Sequence, residues 1–84
     1  MGRVRLTPED LEHLARMPAV IRERIGKLFE RLEAWPAVSG AKPLSGNLAG
    51  WYRLRTGDYR VRFTEEHPDT LLIHAVLHRR EAYR

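Results

Sequence analysis

The chain has no cysteine, only two lysines, and no apolar run near the roughly 20 residues that a membrane-crossing helix needs. Without cysteine, disulfides and thiolate metal sites are both excluded. The four histidines (13, 67, 74 and 78) show no metal-ligand spacing. No metal and no cofactor is therefore expected. Residues 1–6 lack the apolar core of a signal peptide, so the expected location is the cytoplasm, away from any membrane. Gly46 and Gly50 do not have the spacing of a phosphate-binding glycine loop, and no Ser-His-Asp arrangement has supporting context.

What remains is 84 residues, 43% hydrophobic and 31% charged. That composition is globular, and the length fits a single domain over residues 1–84. A domain this small buries only about 60% of its unfolded surface. Either its own core suffices or a partner completes it. The net charge is +4, and the basic residues are 13 arginines beside Lys27 and Lys42. Arginine presents a planar fork that suits phosphate, where lysine is a point charge. That bias points to nucleic acid, although arginine-rich codon usage would give the same composition.

The patterning predicts a β-α-α-β-β-β order. Arg3 to Leu6 alternates as a short strand, and Thr7-Pro8-Glu9-Asp10 reads as a capped helix start. Leu11, Leu14 and Ala15 form its apolar stripe, and Met17-Pro18 ends it. Val20, Ile21, Ile25, Leu28, Phe29, Leu32 and Trp35 then predict an amphipathic helix over 18–34. Residues 36–50, with two Pro, three Gly, two Ser and one Asn, read as loop. From Trp51 the period becomes two, with Thr56-Gly57-Asp58 as the turn of a hairpin. Thr70 to Leu77 is a third strand, apolar enough to be central, followed by a short terminal helix or tail. The fold class is α+β, a mainly antiparallel sheet with both helices on one face.

The other sheet face then presents Arg53, Arg55, Arg60 and Arg62 to solvent or to a ligand. Like charges opposed across strands destabilise a sheet unless an anion compensates. Two readings stay open here. Asp58, Glu65, Glu66 and Glu81 neutralise the arginines, or the face awaits a polyanion. Trp51 shares the alternation of the arginines; it either stacks a base or packs under the 36–50 loop.

Lys42-Pro43-Leu44-Ser45-Gly46, the run from Gly50 to Val61, and His78-Arg79-Arg80-Glu81-Ala82-Tyr83 together resemble the RelE/ParE superfamily of bacterial type II toxins. The resemblance covers the whole chain, and Arg53-Leu54-Arg55 followed by Tyr59-Arg60-Val61 is its most specific part. In the RelE branch the resemblance implies a ribosome-dependent ribonuclease that cuts messenger RNA in the ribosomal A site, leaving a 2′,3′-cyclic phosphate. It implies catalytic roles for Arg53, Arg60, Arg79 and Tyr83. Trp51, Arg55, Arg62 and Arg80 are the further residues expected to bind RNA. The implied partners are a cognate antitoxin, messenger RNA and ribosomal RNA, with operator DNA bound through the antitoxin.

The chain departs from the family in having no lysine after Lys42. Arginine is a poor general base. His78 is the candidate base, with His74, four residues upstream on the expected same strand face, the weaker one. Both could equally be ordinary strand residues. Gyrase-directed ParE members share much of the motif, so a non-enzymatic gyrase inhibitor is the alternative.

Overall fold

The structure, a computed structural model, describes residues 2–66 and 69–82. Strand β1 (Arg3–Leu6) leads into α1 (Pro8–Ala15) and α2 (Ala19–Leu32). Then come a two-residue strand β2 (Lys42–Pro43), a 3-10 turn (Gly46–Leu48), β3 (Trp51–Thr56), β4 (Tyr59–Glu66), β5 (Thr70–His78) and a short α3 (Arg79–Ala82). The sheet order is β1-β5-β4-β3-β2. Only β1 pairs in parallel, with β5; the rest is antiparallel.

Local chemistry accounts for the helix starts. The Thr7 side chain accepts the backbone N–H of Asp10 at 3.1 Å, and Pro8 opens α1 where its missing N–H costs nothing. Pro18 caps α2 instead of starting it, so α2 begins one residue later than its pattern suggests and ends at Leu32. Its buried residues, Ile25, Leu28 and Leu32, keep the three-and-four spacing of one helix face. Ile21 continues that face and is half-buried, whereas Val20, about 100° further round, is 63% exposed. In α1 only Leu14 turns inward; Leu11 is 58% exposed and Ala15 is also exposed.

Both helices cover one face of the sheet. The core joins Ile25, Leu28 and Leu32 to Leu54, Val61, Phe63, Leu71, Ile73 and Val76, all at most 2% exposed. Trp35 closes one end of this core, edge-on to Tyr52 at 4.9 Å and to Phe63 at 5.3 Å. Its indole N–H donates to Glu65 Oε2 at 2.8 Å.

Two features depart from the sequence expectation. The segment 36–50 is not loop throughout, because Lys42 and Pro43 pair with Arg53 and Tyr52 and add a fifth strand. Proline lacks an N–H, so it sits without loss on such an edge. More consequential is a bulge between β4 and β5. Arg62 pairs with Ala75 but Phe63 pairs with Ile73, leaving His74 as an extra residue. One extra residue reverses the alternation beyond it. Ile73 and Val76 both reach the core, and His74 and Ala75 fall together on the outer face.

Candidate functional site

The β3–β4 ladder fixes which arginines meet. Arg55 is directly opposite Arg60, and Arg53 is directly opposite Arg62. Directly opposed residues share a face with Cβ atoms about 5 Å apart, so four guanidinium side chains rise from one patch of the outer face. Arg53 and Arg60 are diagonal neighbours across the hairpin. They are not equally exposed: Arg55 is exposed, Arg53 and Arg62 are half-buried, and Arg60 is only 6% exposed. Of the four arginines expected to meet solvent or a ligand, Arg60 is thus enclosed among its neighbours.

The enclosure comes from the hairpin turn and the end of β5. Gly57 takes φ 57°, the positive value that the first central position of a tight hairpin turn requires. The next residue, Asp58, offers its carbonyl to the backbone N–H of Arg79 at 2.6 Å. That bond holds the first residue of α3 against the turn. The result is a pocket of about 290 Å³ lined by Arg55, Gly57, Asp58, Arg60 and Arg79. Three guanidinium-bearing residues and one carboxylate line it, so its complement is an anion.

Of the acidic residues near this face, Asp58 lines the pocket itself and two others accept hydrogen bonds from neutral side chains. Glu65 accepts from Trp35, and Glu66 Oε1 accepts from the Thr64 hydroxyl at 3.1 Å. Among the described residues, Arg53, Arg55, Arg62 and Arg79 take part in no side-chain ion pair or hydrogen bond.

Further along the same face lies an aromatic cluster. Trp51, on β3, pairs with Thr64 on β4, and the bulge brings His74 out from β5 beside them. The Trp51 and His74 rings stack at 4.2 Å with 28° between their planes. The Thr64 hydroxyl lies 2.7 Å from His74 Nε2. That hydroxyl therefore bridges Glu66 and the His74 ring. Trp51 thus lies on the arginine side of the sheet, against a histidine.

His78 is on the other side. It pairs with Tyr59, its ring meets the Tyr59 ring edge-on at 5.2 Å, and its Nδ1 accepts the Arg80 N–H at 3.2 Å. The two histidines therefore do not share a strand face, and the reason is the bulge between them. His78 nevertheless reaches the site from its rim: with Asp58, Arg79 and Arg80 it lines a hollow of about 630 Å³ adjoining the arginine pocket. Arg53 belongs to a neighbouring hollow of about 280 Å³, with Arg31, Lys42 and Arg55. Arg55 borders both and so links Arg53 to Arg60 and Arg79. Tyr83 lies outside the described residues.

Sequence reading missed Thr64, and Arg31, which comes from the helix layer, and it put His74 on the strand face of His78, from which the bulge separates it. It also gave Arg55 a lesser role than Arg53. The alternation of Arg53 and Arg55 carried no signal to choose between them.

A family model described as the ParE toxin of the type II toxin–antitoxin system parDE matches residues 4–83. No curated protein matches the chain by sequence. Among solved structures, the toxin–antitoxin complex RelBE2 of Mycobacterium tuberculosis contains a chain 26% identical, with a TM-score of 0.79, covering 93% of this chain and 98% of that one. The RelB–RelE complex of Methanococcus jannaschii contains one 26% identical, with a TM-score of 0.72 and 93% of each chain covered. The YoeB–YefM complex of Staphylococcus aureus, at 18% identity and a TM-score of 0.72, covers 90% of this chain and 94% of that one, and shows the shared fold.

Proposed function

Because the chain belongs to the ParE toxin family of the RelE/ParE superfamily, and is thus a toxin of a type II toxin–antitoxin system, we propose that it acts as a ribosome-dependent messenger RNA endonuclease. One observation carries this reading: Arg55, Arg60 and Arg79, from three different elements, line one anion-sized pocket. The RelE complexes at 26% identity support it further.

The RNA 2′-hydroxyl loses its proton and attacks the adjacent phosphorus, a pentacoordinate phosphorane forms, and the 5′-oxygen departs taking up a proton, leaving a 2′,3′-cyclic phosphate and a 5′-hydroxyl. The phosphorane carries more negative charge than the diester, so donors fixed around it favour the transition state over the ground state. Arg60, the second residue of β4, is enclosed beside the hairpin turn, the position least able to move as charge develops. Arg79 is fixed through its backbone to the turn and serves the leaving oxygen. Arg55 and, beyond it, Arg53 hold the flanking phosphates, as do Arg62 and Arg80.

His78, which lines the adjoining hollow with Asp58, Arg79 and Arg80, is the candidate for moving a proton. The ribosome contributes alignment of the 2′-hydroxyl with phosphorus, which lowers the demand for a strong base. A cognate antitoxin is the partner, and it neutralises the toxin by covering the basic pocket.

The experiment is induction of the toxin in bacteria without antitoxin, followed by mapping of transcript 5′ ends. Cleavage within translated codons, lost with Arg60→Ala and Arg79→Ala, supports the reading. Intact transcripts overturn it. The family model's ParE description favours gyrase inhibition as the second reading. Toxicity that survives both substitutions and is accompanied by a DNA-damage response would establish that reading instead.

A further inference from the structure

The outer face holds a second feature that phosphate chemistry does not use. Trp51 and His74 sit on strands separated by β4, about 10 Å apart in the sheet, and their rings meet over it. Neither ring is packed into the helix-covered core. Both are half-buried, and the histidine is pinned by the Thr64–Glu66 hydrogen-bond chain. The stacked pair lies on the face opposite α1 and α2. Along β3 the next outward residue is Arg53, opposite Arg62. The rings thus adjoin positive charge on the side leading to the pocket.

We infer that Trp51 and His74 form a base-stacking platform for single-stranded RNA, seated a few nucleotides from the phosphate held by Arg55, Arg60 and Arg79. From Thr64, beneath the rings, to Arg60 is four residues of β4, about 13 Å at roughly 3.3 Å per residue. A stacked strand rises about 3.4 Å per nucleotide, so a base on the rings and a phosphate in the pocket belong to nearby but different nucleotides. Arg53 and Arg62 lie between the two and meet the intervening backbone. Charge complementarity selects a polyanion, and the ring pair selects one with unpaired bases. A duplex would keep its bases away from the rings.

This inference rests on the outer face being the RNA face, yet it is separable from cleavage. The test is binding of a labelled ten-nucleotide adenine RNA to toxin freed of antitoxin, without ribosomes, followed by anisotropy and by tryptophan fluorescence. Trp35 and Trp51 are the only tryptophans, and Trp35 is buried in the core, so quenching on RNA addition reports Trp51. Trp51→Ala and His74→Ala are each expected to weaken binding by about 5- to 150-fold, the range for losing one stacked base. His74→Phe, which keeps a flat ring, is expected to retain most of the affinity. Circular dichroism and a thermal melt establish that each variant folds.

Unchanged affinity in both alanine variants overturns the inference. So does a face that ignores RNA and binds an acidic peptide instead. RNA binding that follows the expected pattern with no transcript cut in cells leaves the platform standing and removes the nuclease. Cleavage that persists with ring-independent binding does the reverse.

Discussion

Arg55 and Arg60 face each other directly across the β3–β4 hairpin, and both line the pocket that Arg79 completes. Opposed like charges cost a sheet several tenths of a kcal/mol or more, so removing one of the two, or seating an anion between them, is expected to stabilise the fold. Arg55→Gln is expected to raise the thermal midpoint of the free toxin by a few degrees, given roughly 4–8 °C per kcal/mol for a domain of this size. Added phosphate should raise the wild-type midpoint more than that of the variant. Calorimetry in chloride and in phosphate buffers measures both, and a lower midpoint for the variant in chloride would contradict a repulsion between the two arginines.

Arg60→Ala and Arg79→Ala are each expected to slow RNA cleavage by about 10²–10³-fold, the usual loss when one preorganised donor to a developing anion is removed. Arg60→Lys should recover little, since an ammonium cannot present the planar fork. Primer extension on a translated reporter message quantifies the cut. Equal cleavage by Arg60→Ala and wild type would show that the enclosed guanidinium does not meet the phosphate.

Leu28→Ala is expected to destabilise the fold by about 2–5 kcal/mol, because Leu28 is 1% exposed in the centre of the core. Phe29, only half-buried, should cost less when cut to Ala despite its larger side chain. Urea midpoints at constant slope give the comparison. A larger loss at Phe29 would mean that α2 is rotated from the orientation described.

Gly2→Ala is expected to destabilise as well. A Cβ there would lie 2.8 Å from the Leu32 carbonyl oxygen and 3.2 Å from Trp35 Cβ, so backbone must shift to admit it. The N–H of Gly2 also donates to the Glu33 carbonyl at 2.8 Å, tying β1 to the end of α2. A thermal midpoint unchanged by this substitution would show that the backbone admits the Cβ at no cost.

The elements themselves were legible. The three-and-four spacing of Ile25, Leu28 and Leu32 marked a buried helix face, and the alternation from Trp51 to Phe63 marked a hairpin with arginines on one side. Thr7 and Pro8 announced the start of α1, and Gly57 the hairpin turn. Lys42 and Pro43 gave no strand signal, since two residues have no periodicity to read and their pairing is set by the edge of β3.

Hydrophobic and charge patterning, which depends only on neighbours within a turn or a strand, determined the helices, the hairpin and the existence of an arginine face. The tertiary structure alone decided which arginines converge and which histidine joins them. Those outcomes depend on ladder register, on a single extra residue at position 74, and on the bond from Arg79 to the Asp58 carbonyl. Each is a hydrogen-bonding choice between distant segments. A one-residue slip in such a choice reverses every side chain beyond it without changing a letter of the local pattern.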